Sequence, residues 1–269
     1  MIFSRFCHDK EMWIDRSSEM IEIYDEHAGD IALIHTVPAG QYAQPLPTVF
    51  FYHGYSSSKA VYSYFGYALA KAGFRVVLPD ADLHGERFNG DEPQRLAHFW
   101  EILKSNIDEL SALKAHFEQR GLIADGRIGV VGASMGGMTT LGALVRYPWI
   151  RAAASLMGSG DFFQLPKTLF PPLGTDGQPL PAAQWAARLA PLADYSPEQQ
   201  VEKLAGRPLL LWHGEADDLV PTAESLRLAQ ALRARGLAQQ LTLLTEPNVT
   251  HRITPLALDA TAAFFQREL

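Results

Sequence analysis

Apolar positions fall into two rhythms along the chain. Short runs of β-branched, aliphatic or aromatic residues occur at 21–24, 31–36, 48–52, 75–78, 128–131, 152–157, 208–212 and 240–244. Longer stretches with apolar residues three and four apart lie near 60–72, 93–120, 135–147, 222–235 and 255–268. The first set predicts strands and the second amphipathic helices. The clearest helix is 93–120. There Leu96, Phe99, Leu103, Ile107, Leu110, Leu113 and Phe117 form one stripe, and Gly121 supplies a stop. A hairpin-like start followed by β-α alternation predicts an α/β fold. Its sheet has eight strands, mostly parallel, with helices on both faces.

One segment breaks the rhythm. Between Gly160 and Gly206 the chain carries Pro166, Pro171, Pro172, Pro179 and Pro181, with Gly174 and Gly177, so it is not expected to be sheet. It also carries apolar Phe162, Phe163, Leu165, Leu169, Phe170 and Trp185, which divide between ordinary packing and pocket lining. It reads as a cap insertion at about 160–206 over the sheet edge, within a single domain spanning 20–269. Residues 1–19 show no convincing periodicity. They read as an N-terminal extension, either ordered or upstream of a start at Met20.

Composition narrows the class. With 47% apolar residues in 269, the chain can bury a sizeable core. A net charge of −7 and no clustered basic stripe argue against nucleic acid. No run approaches the ~18 apolar residues of a membrane span, and the N-terminus lacks a secretory signal. The single cysteine, Cys7, forms no internal disulfide, so the expected compartment is the cytoplasm. Oligomeric state is not legible at this level.

The chemistry concentrates at 127–140, RIGVVGASMGGMTT, where Ser134 follows a strand and opens a helix among glycines. Such a turn either cradles phosphate or presents a nucleophile. The spacing of Gly129, Gly132 and Gly136 is wrong for a dinucleotide fold, and the next strand ends without the acid that holds a ribose. Gly132-Ala133-Ser134-Met135-Gly136 instead matches G-x-S-x-G. In that pattern serine takes strained backbone angles and its neighbours must be small.

A serine nucleophile needs a base and an orienting acid, here expected in the order serine, acid, histidine. LLWHGEADDLVP at 210–221 and NVTHRITP at 248–255 supply both at strand ends. Asp217 is the favoured acid, Asp218 the second candidate, and Glu215 reads as a solvated loop carboxylate. His251 is the base. The oxyanion donors are expected to be the N–H groups of Met135 and Tyr55, with Gly54 letting the chain turn so that the Tyr55 amide points inward. His53 precedes the serine and reads as turn-shaping, His84 as loop-organising and His213 as a hydrogen-bonded core residue.

With HGYSSS, GASMGG, WHGEADDLVP and HRITP in this order, the chain resembles the α/β-hydrolase superfamily, in its dienelactone-hydrolase and prolyl-oligopeptidase-like branch. The likeness covers essentially 20–269. It implies Ser134 as nucleophile, Asp217 as acid, His251 as base, and Tyr55 and Met135 as oxyanion donors. It also implies hydrolysis of short-chain carboxylic esters, with no metal and no organic cofactor. Dienelactone hydrolases proper use cysteine, so serine argues against that activity. A thioesterase or small peptidase would use the same triad, although a peptidase of this branch usually carries a large N-terminal gating domain. A non-catalytic ligand-binding protein would not require the constellation. Substrate preference rests on the cap, whose 174–184 stretch departs from the family pattern.

Overall fold

The apolar runs become eight strands in one sheet: β1 (Ile21–Ala28), β2 (Ile31–Pro38), β3 (Leu46–Tyr52), β4 (Arg75–Pro79), β5 (Ile123–Ala133), β6 (Ala152–Leu156), β7 (Leu209–Gly214) and β8 (Leu241–Glu246). This computed structural model describes residues 20–174 and 177–269; the extension expected at 1–19, with Cys7, lies outside the described residues. The strand order is β1-β2-β4-β3-β5-β6-β7-β8. The β1–β2 and β2–β4 pairs are antiparallel, and all later neighbours are parallel.

Alternation along the strands divides the core into two layers. From β3, Phe50 and Tyr52 enter one layer, Val49 and Phe51 the other. The first layer holds the buried faces of α3 (Phe99–Gln119), α4 (Met135–Arg146) and α6 (Ala223–Ala234). The second holds those of α1 (Ser63–Lys71) and α7 (Pro255–Glu268). Covering on both faces explains why the central strands lack polar alternation. No described helix is long and apolar enough to cross a membrane.

The expected helix at 93–120 is two. A short α2 (Glu92–Ala97) ends at His98, whose φ of −105° and ψ of 18° leave the helical region before α3 begins. The cause is local. His98 donates both its backbone N–H and its ring Nδ1–H to the Gln94 carbonyl, at 3.0 and 2.7 Å. The break leaves Leu96 42% exposed, outside the expected stripe, while Phe99 stacks flat on Phe170 at 4.0 Å. Gly121 ends α3 as expected, with φ +69° and a Leu122 N–H to Phe117 O bond of 3.0 Å.

The segment expected as a cap contains α5 (Ala182–Leu189), which the prolines concealed, and several single helical turns. Its Phe162, Leu165, Leu192, Tyr195, Val201 and Leu204 enter the same layer as α3 and α4. Its described residues form no separate core.

At the opposite end of the sheet, Arg75 is fully buried at the start of β4. Its guanidinium donates to the carbonyls of Leu122, Tyr42 and Gln44, and to His35 Nε2. Burial, then the neighbouring Arg75 charge, push the His35 pKa down to about 4, so the ring accepts as a neutral base. Arg75→Met keeps most of the stem but strands these acceptors. The expected cost is about 3 kcal/mol, read from the urea midpoint.

Candidate active site

Ser134 sits where β5 gives way to α4, near the carboxyl edge of the sheet. Its φ of 58° and ψ of −116° are strained for any residue with a Cβ. The turn is held by Ser134 N–H to Leu156 O at 2.9 Å and Met138 N–H to Ser134 O at 3.0 Å. The glycines are there for space. A Cβ on Gly132 would lie 2.3 Å from Gly136 O, and one on Gly136 only 1.9 Å from the Tyr52 carbonyl of β3. The sequence shows the first approach; the second comes from a strand pairing it does not display.

The acid and base come from adjacent strand ends. Glu215 N–H donates to Glu246 O at 2.8 Å and Ala216 N–H to Val249 O at 2.9 Å, stitching the loop after β7 to the loop after β8. This brings His251 Nδ1 within 2.8 Å of Asp217 Oδ2 and His251 Nε2 within 2.8 Å of Ser134 Oγ. Asp218 and Glu215 are exposed, and Glu215 accepts from Thr245. Of the three carboxylates, Asp217 is the one that reaches His251.

Asp217 is a fully buried carboxylate with four donors around it. Oδ1 accepts from the Leu219 and Val220 amides at 3.0 and 2.9 Å, while Oδ2 faces both His251 and His213 Nε2, the latter at 3.2 Å. Burial alone would raise its pKa. The hydrogen bonds from His213 and His251, the electrostatic attraction of the His251 ring and the Leu219 amide outweigh burial and hold it well below the usual carboxylate range. His213 Nε2 also lies 2.8 Å from Val220 O. Two acceptors at one nitrogen fix the proton there, so His213 is a donor to Asp217 as well as a core histidine. Sequence reasoning missed that link; the signal was its spacing four residues before the acid.

The Tyr55 amide lies on the loop after β3, beside the serine. Gly54 has no positive φ, so freedom to turn is not its reason for being glycine, contrary to expectation. The loop is shaped by histidines. His53 Nδ1–H donates to Gly54 O at 2.8 Å and Nε2 accepts from Ala81 N–H at 3.0 Å. His84 Nε2 accepts from Ser56 N–H at 3.0 Å. Met135 is the first residue of α4, so its N–H has no acceptor one turn earlier and carries the positive end of the helix dipole.

Over Ser134 opens a cavity of about 450 Å³, walled by Tyr55, Tyr62, Tyr64, Met157, Phe170 and Leu219 among others. Of the cap's apolar residues, Phe170 lines this cavity, whereas Phe162 and Leu165 are core. No group of three or more potential metal-ligating side chains occurs among the described residues.

Burial pushes the His53 pKa down to about 4, against the opposing effect of its bond to Gly54 O, and burial lowers that of His84. In the unfolded chain these rings titrate near ~6.5. Between that value and about 4 the unfolded state binds more protons, so stability is full above this window and falls as pH drops through it. Urea midpoints are expected to decline steadily from neutral pH into this window. The decline should be shallower in His53→Gln, whatever that variant's absolute stability.

Comparison with known proteins gives the same picture. The prolyl oligopeptidase family profile matches residues 61–269. Esterase YjfP of Escherichia coli K12 is 49% identical over 253 residues, covering 93% of this chain and 100% of that protein. YitV of Bacillus subtilis 168 is 38% identical over 257 residues, covering 93% and 100%. Among solved structures, TT1662 from Thermus thermophilus superposes with a TM-score of 0.72 at 22% identity, covering 92% of this chain and 98% of that one. With its eight-stranded sheet, its serine at the strand–helix corner and these relatives, the chain belongs to the prolyl oligopeptidase family and has the α/β-hydrolase fold.

Proposed function

We propose that the protein is a serine carboxylesterase that hydrolyses short-chain esters of small molecules through an acyl-enzyme. The observation that carries this reading is the continuous chain Asp217–His251–Ser134, with both links at 2.8 Å. His251 takes the Ser134 proton as Oγ attacks the ester carbonyl. Asp217 holds the ring in the tautomer that leaves Nε2 free to accept, and stabilises the imidazolium that forms. The Tyr55 and Met135 amides receive the negative oxygen of the tetrahedral intermediate. His251 then protonates the departing alcohol. Water, activated by the same ring, releases the acid and restores Ser134.

The similarity to an Escherichia coli esterase supports ester rather than amide cleavage. A cavity of about 450 Å³ suits small acyl groups. A reducing compartment such as the cytoplasm suits a chain whose single cysteine forms no internal disulfide.

Ser134→Ala is expected to lower kcat on p-nitrophenyl acetate by about 10⁴-fold or more, with an unchanged melting temperature. Wild-type turnover by the folded variant would overturn the proposal.

A further inference from the structure

Two features beside the nucleophile are left over from the mechanism. The first is Gly54. It has no positive φ, and a Cβ placed there would make only ordinary contacts, 3.5 Å each from Ala133 O, Ser134 Cβ and the Tyr62 hydroxyl. Neither backbone angle nor packing requires glycine. What its missing side chain does is keep open a gap between the serine and Tyr62.

The second is that hydroxyl. The Tyr62 ring is fixed by Phe51, at 5.2 Å between centroids, and by Tyr64 and Phe65, at 5.8 and 6.3 Å. Burial raises its pKa, so the group is a protonated donor at working pH. It has no hydrogen-bond partner among the described residues, and Tyr62 lines the cavity over Ser134. A half-buried hydroxyl facing an open gap is completed by whatever fills that gap.

We infer that the gap receives a second oxygen of the substrate, on the acyl side of the scissile carbonyl. Tyr62 then selects acyl groups that carry a hydrogen-bond acceptor at C2. This deepens, and rests on, the esterase reading. Two amides already face the carbonyl oxygen. The alcohol leaves beside His251, which protonates it, whereas the three atoms nearest the gap belong to Ala133, Ser134 and Tyr62. The acyl group is what remains. Once substrate fills the gap and displaces water, a donor fixed in its wall rewards an oxygen there and is left unpaired by a methylene.

The test compares p-nitrophenyl methoxyacetate with p-nitrophenyl butyrate, which match in length and differ by one oxygen at C2 for a methylene. The ratio of their kcat/KM values is measured for wild type, Tyr62→Phe and Gly54→Ala. Dividing the wild-type ratio by a variant's cancels the intrinsic reactivity of the two esters. The quotient is expected to be about tenfold for Tyr62→Phe, the worth of one hydrogen bond. Gly54→Ala should fold and lose the same preference, because its Cβ fills the gap. A quotient of one for either variant overturns the inference. That includes equal losses on both esters, which would make Tyr62 a donor to the carbonyl oxygen instead. Fluorophosphonate labelling of Ser134 in wild type separates the two levels. Labelled enzyme with a quotient of one overturns only the Tyr62 role, and unlabelled enzyme overturns the esterase reading with it.

Discussion

The catalytic corner depends on one backbone contact, the seating of Gly136 against the Tyr52 carbonyl of β3. α4 can start this close to the sheet only if its second residue has no side chain. The close seating forces the chain to reverse at Ser134 in a conformation that costs about 1–3 kcal/mol. That cost is offset by the burial of α4, where every residue except Arg146 is inside. Burial drives the helix down onto the strands, the glycines permit it, and the serine is the residue left at the bend. The same seating leaves the Met135 amide at the helix start, without an acceptor one turn earlier.

Around this corner, two buried carboxylates have full sets of partners. Asp217 has two amides and two histidines as partners, which keeps it ionised without solvent. Asp80, also buried, accepts from the Lys59 amide at 2.8 Å and the Glu86 amide at 3.0 Å, tying the loop after β3 to the loop after β4. His53 and His84 act as neutral acceptors in the same join. The Tyr55 amide thus sits on a loop pinned through groups far from it in sequence. The geometry of the Asp217–His251–Ser134 chain is set by this buried scaffold as much as by the three residues themselves.

All eight strands were legible because buried parallel strands read as apolar runs, and Ser134 and His251 because their motifs demand small neighbours or a strand end. Asp217 could not be separated from Asp218 by residue pattern alone. The difference lies in which carboxylate turns inward to the amides of Leu219 and Val220, a loop conformation with no compositional signature. The break at His98 was hidden because the apolar spacing runs straight through it. α5 was hidden by prolines that flank it without interrupting it. The meaning of Gly54 was misread, since a glycine kept for space and one kept for its φ look the same in a sequence.

The central claim, that Ser134 carries the acyl group, is tested most directly by acid-quenching the enzyme during turnover of p-nitrophenyl acetate and mapping the adduct by mass spectrometry. The account predicts one acetyl group per chain, on the peptide containing Ser134, appearing in step with a burst of p-nitrophenol. An acetyl group on any other residue, or continued hydrolysis by Ser134→Ala with no adduct, would contradict it.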